Sequence, residues 1–373
     1  MQFNDLSAQQ GRIRAQIDAR ISDVLAHGAY IMGPEVTELE TQLSAFCGAG
    51  HSITCANGTD ALQLGLMALD IGAGDAVFVP SFTFAATAEV VPLVGATPVF
   101  VDCDLESFTM DPGSLERSVA HAIEIGLRPV CIIAVDLFGQ PADYDEISEI
   151  ALAFGMSVIS DCAQGFGGAY RGKSAGRYGH LSTTSFFPAK PLGCYGDGGA
   201  IFSDDERLAE IIRSLRIHGK GAHKYENQRI GLNSRLDTLQ AAILCEKLEI
   251  FADELAKRAQ IAARYDAGLS QYVATPRLKS GCSSSWAQYT IRLRDRANRD
   301  AMQAALARRD IPTQVYYPTP LHRQAAYDTY PKDPDGLSTS ELLSETVLSL
   351  PMHPYLSCAD QDRVIEGVKE CVA

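Results

Sequence analysis

The sequence predicts an α/β protein whose core is a largely parallel sheet with helices on both faces. Two observations carry this prediction: continuous apolar runs of strand length recur along the chain, and stretches with helical apolar spacing separate them. The runs lie at residues 52–55, 76–79, 98–101, 129–135, 156–159 and 199–202. Strands that are buried on both faces are apolar throughout, whereas a strand with one wet face alternates.

The helices are predicted from apolar spacing and from the residues at their ends. Ile13, Ile17 and Ile21 form one stripe of a helix over residues 8–27, which stops at Gly28. A second helix follows Pro34 and stops before Gly48. Further helices are predicted over residues 61–69, 84–93, 144–154 and 299–308, after Cys358, and from Arg235 towards Leu255.

The pattern changes in the last third of the chain. Residues 289–293 and 312–317 are predicted as strands, and they mix with helices rather than alternating regularly with them. The long helix from Arg235 is long enough to bridge two domains. We therefore predict a large domain over residues 1–250 and a smaller α+β domain over residues 251–373.

Composition excludes several classes of protein. A net charge of −14 argues against general nucleic-acid binding, which requires a basic face. No apolar run approaches the roughly 20 residues of a membrane helix, and the polar start lacks the layout of a signal peptide, so a cytoplasmic protein is expected. The ten cysteines are scattered singly, without metal-ligand spacing, so we expect reduced core residues and no metal site.

Lys190 stands in a stretch that cannot be a regular helix. Prolines lie on both sides of it, at 188 and 191, and glycines follow at 193, 196, 198 and 199. A lysine presented among apolar groups loses hydration of its charged form, so its pKa falls and it can condense with a carbonyl. Alone, Lys190 could equally be an ordinary surface lysine at a turn.

Two other places could hold parts of a ligand. Residues 57–60 join a predicted strand to a helix, so the N–H groups of Gly58 and Thr59 could bind an anion, although a simple helix cap has the same pattern. Asp161 closes the run at 157–160, at the carboxyl end of a strand, where α/β proteins bind ligands. Its carboxylate could hold a protonated ring nitrogen and Gln164 a neighbouring oxygen, but a turn or a metal site is also consistent with an aspartate there.

The three features together are more specific than each alone. Pyridoxal 5'-phosphate (PLP) has a phosphate to anchor, a pyridine nitrogen that must stay protonated, and an aldehyde that condenses with a lysine. The anion-binding turn, Asp161 and Lys190 provide one partner for each. The absence of a GxGxxG pattern argues against a dinucleotide-dependent dehydrogenase.

Five segments resemble the DegT/DnrJ/StrS family of nucleotide-sugar aminotransferases: residues 56–62, 80–84, 161–164, 185–190 and 231–242. The resemblance spans nearly the whole chain and implies a PLP enzyme of fold type I, similar to aspartate aminotransferase. It implies that Lys190 forms the Schiff base with the cofactor, that Asp161 pairs with the pyridine nitrogen, and that Gln164 contacts the cofactor's O3'.

The same resemblance implies the remaining cofactor contacts. Phe84 would cover the ring, while Gly58, Thr59 and Ser185 would hold the phosphate. Family members are normally homodimers with shared active sites, and Asn233 would reach the phosphate of the partner subunit's cofactor.

Two positions, Lys190 and Cys162, can be compared with the residues that other members of the family have there. One branch replaces the Schiff-base lysine with histidine and dehydrates its substrate; because Lys190 is kept, transamination is expected. Cys162 stands where alanine is common, a small apolar change.

Substrate contacts are predicted in two segments. Residues 213–235 are basic in an acidic protein, and they could bind a sugar nucleotide's diphosphate or a carboxylate; His218 and Arg229 are the candidates, with a solvated basic loop as the alternative. Residues 316–322 resemble the family segment that lines the sugar pocket, with Tyr317 and His322 as candidates. His322 alone would more often be structural.

Residues 185–202, 233–251 and 348–356 most resemble bacterial enzymes that aminate C3 of UDP-2-acetamido-2-deoxy-3-oxo-glucuronate for surface polysaccharides. This resemblance implies a UDP-linked keto sugar and L-glutamate as substrates. Two alternatives stay open: amination at C4 of a 4-keto deoxysugar, and a regulatory protein that binds cofactor or sugar without turnover.

Overall fold

A seven-stranded sheet forms the centre of the molecule, as seen in a computed structural model that describes residues 1–223 and 225–372. Lys224, one of the basic residues of segment 213–235, and Ala373 lie outside the described residues. The strands of this sheet are β1 (His51–Cys55), β2 (Asp75–Pro80), β3 (Thr97–Val101), β4 (Arg128–Val135), β5 (Ser157–Asp161), β8 (Leu181–Ser185) and β9 (Gly199–Ser203).

Strand order across this sheet is β1-β9-β8-β5-β4-β2-β3. The pairs β3–β2, β2–β4, β4–β5 and β5–β8 are parallel, whereas β9 is antiparallel to both of its neighbours. The predicted parallel α/β sheet is therefore confirmed, with one reversed strand. Three short strands form a separate sheet, in which β6 (Ala169–Tyr170) lies between β7 (Lys173–Ser174) and β10 (Cys282–Ser283).

Helices cover both faces of the sheet, and two separate apolar clusters fill the space between helices and strands. Predicted helix ends at Gly28 and Gly48 are confirmed, since both glycines adopt the left-handed conformation that ends a helix. The helices of this part are α1 (Leu6–His27), α2 (Pro34–Cys47), α3 (Gly58–Ala68), α4 (Ala86–Leu93), α5 (Pro112–Glu124), α6 (Tyr144–Phe154) and α7 (Glu206–Leu215).

The helix α8 (Thr238–Leu269) joins the sheet to a second apolar core. Its first half packs with Leu244 and Phe251 against the sheet, while Tyr265 and Leu269 belong to the other core. The predicted domain boundary near residue 250 lies inside this helix and stays a prediction. The second core is built from α8 together with β11 (Tyr289–Arg292), α9 (Arg296–Ala307), β12 (Val347–Leu350) and α11 (Cys358–Val372).

Two predicted elements differ from the structure. Residues 312–317 are not a strand: Gln314 forms a single bridge with Ser349, and the prolines at 312 and 318 offer no N–H for a ladder. The long helix begins at Thr238 rather than Arg235, because Asp237 before it is extended. α5, α7 and α10 (Ser338–Thr346) were not predicted.

No helix among residues 1–223 and 225–372 is long and apolar enough to cross a membrane.

The segment around α10 returns from the second core to the large sheet, where Asp102 anchors it. The buried Asp102 carboxylate accepts hydrogen bonds from the N–H groups of Thr339 (2.9 Å) and Ser340 (2.7 Å) and from the Ser340 hydroxyl (2.6 Å). These groups belong to the first turn of α10, where free N–H groups and the helix dipole favour a carboxylate.

Replacement of Asp102 by alanine is expected to lower the free energy of unfolding by about 2–3 kcal/mol, because hydrogen bonds to a charged group are lost and buried N–H groups remain. Chemical denaturation measures this. Asp328→Ala, at an exposed position of the same returning segment, is the control, with an expected change below about 0.5 kcal/mol. Equal effects of the two substitutions would contradict the assigned role of Asp102.

Candidate active site

A cavity of about 660 Å³ lies at the edge of the sheet where the parallel strands end. Strands β5 and β8 end there in Asp161 and Ser185, and the connections that follow β1 and β2 begin there. Among the predicted site residues, those that line this cavity are Gly58, Thr59, Phe84, Asp161, Gln164, Ser185, Lys190 and Tyr317.

One end of the cavity is formed by the N-terminus of α3. Asn57 caps this helix, since its side-chain oxygen accepts from the N–H of Asp60 at 2.8 Å. The N–H groups of Gly58 and Thr59 belong to the first turn and have no partner within the helix. A Cβ at Gly58 would lie 2.7 Å from the Ser185 Cβ, so only glycine lets the helix end and Ser185 approach this closely. The place suits a phosphate.

Asp161 is a buried carboxylate on the cavity wall. Its Oδ1 accepts from the N–H of Ala163 at 3.1 Å and its Oδ2 from the Thr87 hydroxyl at 3.2 Å. Burial raises the pKa of Asp161, whereas these two hydrogen bonds and the charge of Lys190 act in the opposite direction. The site is therefore arranged to favour a cationic group beside this carboxylate.

Lys190 lies in the loop over residues 186–198, between the adjacent strands β8 and β9. Its N–H donates to the Phe187 carbonyl at 2.8 Å, which closes a tight turn. Burial lowers the pKa of the Lys190 amine, and the charge of Asp161 opposes that shift. A lowered pKa leaves more of the amine in the neutral form that attacks a carbonyl.

Gln164 and two aromatic rings form another part of the wall. The Gln164 oxygen accepts from the N–H of Phe138 at 2.7 Å, and its amide nitrogen donates to the Tyr317 hydroxyl at 3.1 Å. Phe84 lies 6.4 Å from Tyr317 between ring centres and is 55% exposed. An exposed aromatic ring at a cavity mouth can stack on a planar ligand.

Four predicted residues do not line this cavity. His218, Arg229 and Asn233 are exposed on the segment after α7, where Arg229 lies 3.3 Å from the Ser214 hydroxyl. His322 is buried: its Nδ1 is 2.6 Å from the Ser81 hydroxyl and its Nε2 is 3.1 Å from Glu341. His322 thus connects the segment before Phe84 to α10, an arrangement that suits a structural role.

Several lining residues were not singled out from the sequence. Thr87 does not line the cavity itself, but it donates to the lining residue Asp161 and was also missed. Its hydroxyl is 3.3 Å from that of the lining residue Thr83, four positions earlier, so this spacing after the predicted strand was an available signal.

Tyr316 lies in the segment 316–322 that was expected near the sugar, although only Tyr317 and His322 were named from it. Gln288 carried no such signal, because its distance from the site in the chain is large. Asn57 and Asp60 also line the cavity and belong to the turn at 57–60 that the sequence indicated. The remaining lining residues are Leu62, Thr83, Ala86, Val135, Ala163, Phe187, Ala189 and Asp197.

The cavity fits PLP. Three features line this one cavity: an anion-binding helix end, a buried carboxylate for a cationic ring nitrogen, and a lysine with a lowered pKa. Together with the mostly parallel sheet, these features define a PLP-dependent enzyme of fold type I. Among the described residues, no group of three or more His, Cys, Asp or Glu side chains could hold a metal ion.

Comparison with known proteins gives the family. Residues 11–369 match the DegT/DnrJ/EryC1/StrS aminotransferase family, and the chain belongs to it. The chain is 50% identical over 361 residues, 96% of this chain and 97% of the relative, to the UDP-2-acetamido-2-deoxy-3-oxo-D-glucuronate aminotransferase of Pseudomonas aeruginosa. It is therefore an aminotransferase, and PLP is its cofactor.

Solved structures agree with this assignment. A DegT/DnrJ/EryC1/StrS aminotransferase from Brucella abortus superimposes with a TM-score of 0.98 at 53% identity, covering 100% of both chains. A sugar aminotransferase from Streptococcus pneumoniae, solved in its PLP form, superimposes with a TM-score of 0.88 at 26% identity, covering 96% of each chain.

The contact between Gly58 and Ser185 gives a first prediction for the site. Gly58→Ala is expected to weaken PLP binding at least about tenfold, because the new methyl group displaces Ser185 from the helix end. Titration of the apoprotein with PLP measures this. Gly11→Ala is the control, since a Cβ there meets nothing within 4 Å. Unchanged affinity in Gly58→Ala would contradict the proposed phosphate position.

The hydrogen bond from Thr87 to Asp161 gives a second prediction. Thr87→Val removes a donor to the charged carboxylate, so the pKa of Asp161 rises further. Activity is lost as the pH falls through this pKa, and the acid limb of the kcat profile should therefore move to higher pH. A bond of about 1.5–3 kcal/mol implies a shift on the order of one pH unit.

Thr87→Ser keeps the hydroxyl and should restore the original profile. An acid limb that stays in place in Thr87→Val would show that this hydroxyl does not support the Asp161 carboxylate.

Proposed function

We propose that this protein transfers the amino group of L-glutamate to C3 of UDP-2-acetamido-2-deoxy-3-oxo-D-glucuronate, in the cytoplasm, for bacterial surface polysaccharide such as O-antigen. The aminotransfer rests on one observation above others: Lys190 and Asp161 line one cavity beside an anion-binding helix end. The substrate rests on the 50% identity to the Pseudomonas aeruginosa enzyme along nearly the whole chain.

Lys190 is proposed to hold the cofactor and to move the proton. When bound, PLP supplies an electron sink that stabilises the negative charge left on an amino acid when its Cα proton departs. The Lys190 amine, released when glutamate arrives, would take that proton from Cα and deliver it to C4' of the cofactor, on the other side of the nitrogen that joins the two carbons. Its lowered pKa suits both tasks, because a general base works best with a pKa near the operating pH.

Asp161 is proposed to keep the pyridine nitrogen protonated. A buried carboxylate has a strong preference for a cationic partner, since water cannot compensate its charge. Thr87 and the N–H of Ala163 keep Asp161 in the charged form and fix its orientation. Asp161→Ala should therefore lower kcat by orders of magnitude.

The other cavity residues are proposed to orient the cofactor and to exclude water. Gly58, Thr59 and Ser185 hold the phosphate at the end of α3. Gln164, already fixed by the N–H of Phe138, contacts the ring oxygen O3', and Phe84 covers the ring. Tyr317 closes the wall on the substrate side through its hydrogen bond with Gln164.

A homodimer is proposed, with segments of one subunit reaching the cavity of the other. Arg229 and Asn233 lie outside the cavity of their own subunit and are exposed, so they are free to approach a second one. Ile230, between them, is 91% exposed, and Ile31, which bridges to Asp237, is 47% exposed. Exposed apolar side chains support an interface where they form one patch.

His218 and Arg229 are proposed to bind the anionic groups of the substrate across that interface. A UDP-linked sugar acid carries a diphosphate and a carboxylate, and arginine can bind either with two parallel hydrogen bonds. His322 was a candidate for the sugar pocket, but its contacts with Ser81 and Glu341 support a positioning role instead.

Two half-reactions test the proposed function. The PLP-loaded protein is titrated with L-glutamate, and the absorbance of the cofactor reports conversion to its amine form. UDP-linked 3-oxo-glucuronate is then produced in the cuvette by its dehydrogenase. Return of the starting spectrum with the 3-keto sugar acid is the expected result.

The other outcomes decide between the alternatives. Conversion with glutamate but no return would contradict the C3 substrate and favour a 4-keto deoxysugar. A glutamate complex that forms without conversion would favour a regulatory protein without turnover.

Arg229 gives a separate prediction for the substrate side. Arg229→Ala should raise the KM for the sugar acid at least about tenfold, because hydrogen bonds to charged groups contribute about 1.5–3 kcal/mol. Steady-state kinetics at fixed glutamate measure this, with the exposed Arg296→Ala on α9 as the control. Unchanged KM values for both sugar and glutamate would remove Arg229 from the site.

A further inference from the structure

Lys247, on α8, is a buried cation outside the cavity. Lys247 is only 1% exposed, and its ammonium donates a hydrogen bond to the Gly193 carbonyl at 2.6 Å. The same ammonium lies 4.3 Å from the centre of the Tyr195 ring. A buried ammonium has a large desolvation cost, which the carbonyl and the aromatic face only partly offset. An apolar side chain of this length would fill the space without that cost.

The group that Lys247 contacts belongs to the loop over residues 186–198, which presents Lys190. This loop folds tightly on itself: a Cβ at Gly193 would lie 2.6 Å from the carbonyl oxygens of Phe187 and Pro188. The Phe187 carbonyl is also the acceptor for the Lys190 N–H. A displacement at Gly193 is therefore transmitted directly to the turn that carries Lys190.

A second residue of α8 holds the same loop. The side-chain oxygen of Gln240 accepts from the N–H of Tyr195 at 2.9 Å. Gln240 and Lys247 are separated by two helical turns and thus lie on one face of α8. The loop is fixed from this helix at two points, one on each side of Cys194.

We propose that Lys247 is a positioning residue for transamination: its ammonium fixes the Gly193 carbonyl and thereby holds the Lys190 amine where the cofactor and the substrate proton are in reach. This inference rests on the proposed role of Lys190. A side chain that only filled this space would not need a charge. A charged ammonium, by contrast, makes a strong hydrogen bond to the Gly193 carbonyl and an attractive contact with the Tyr195 ring.

The charge of Lys247 has its own pH dependence. Burial lowers the pKa of Lys247 to about 8, while the charges of Cys194 and Glu254 act to raise it. The phenol of Tyr195, whose ring faces the ammonium, is the third titratable group beside it. Glu254 is itself bound by Gln9 and Tyr355. Because the folded pKa lies below the unfolded value of 10.5, the unfolded chain binds more protons between these values, and stability should rise with pH in that window.

The test compares Lys247→Met with Lys257→Met, a partly exposed lysine of the same helix that pairs with Asp253 at 2.8 Å. Two measurements are made on each PLP-loaded variant: the glutamate half-reaction and the pH titration of the cofactor absorbance. A third, unfolding from pH 7 to 10, is made on the same variant after removal of PLP. Lys247→Met should lower the rate of the half-reaction at least about tenfold, with a KM for glutamate within about twofold of the parent.

The same variant should also shift the spectroscopic titration and remove the rise of stability above pH 8, whereas Lys257→Met should match the parent in all three. A parental rate and titration in Lys247→Met would overturn the proposal. If Lys247→Met does not fold, Tyr195→Leu removes the ring beneath the ammonium and should change the rate and the titration in the same direction; parental values there would also overturn the proposal.

Failure of this inference and failure of the proposed function are distinguishable. A parent protein that does not react with glutamate contradicts the proposed function, and the inference falls with it. A parent that reacts and a Lys247→Met variant that reacts equally well contradict only the role of Lys247.

Discussion

The site depends on two opposite charges that share one buried cavity. Asp161 closes a central strand and Lys190 follows the next strand in the sheet, so the parallel topology brings both to the same edge. Burial shifts each pKa towards the neutral form, and each charge offsets part of that cost for the other. A cofactor with a cationic ring nitrogen and an aldehyde satisfies both groups at once.

The surrounding structure supports this pair from several elements. Thr87 of α4 fixes the carboxylate, α3 directs its N-terminus into the cavity, and α8 holds the loop of Lys190 through Gln240 and Lys247. These polar contacts fix the Asp161 carboxylate and the loop that carries Lys190 from two separate helices, α4 and α8. This agrees with the general need of an active site for rigid support.

The buried strands and the carboxyl-end position of Asp161 could be predicted because both follow from local sequence: apolar runs define strands, and parallel strands end at a common edge. The glycines and prolines around Lys190 likewise excluded a helix. The segment at 312–317 was wrongly predicted as a strand, since its β-like composition concealed the lack of a partner for most of its N–H groups. Gln288 and Lys247 were missed because their roles depend on contacts between distant segments. His322 was predicted near the sugar, and the structure places it between Ser81 and Glu341.

Borohydride reduction tests directly whether Lys190 forms the Schiff base with the cofactor, as proposed. Reduction of the PLP-loaded protein fixes the cofactor on the lysine that holds it, and peptide mass spectrometry then locates that residue. We expect the modification on the peptide that contains Lys190. Modification of another lysine, such as the buried Lys247, or of none, would contradict it.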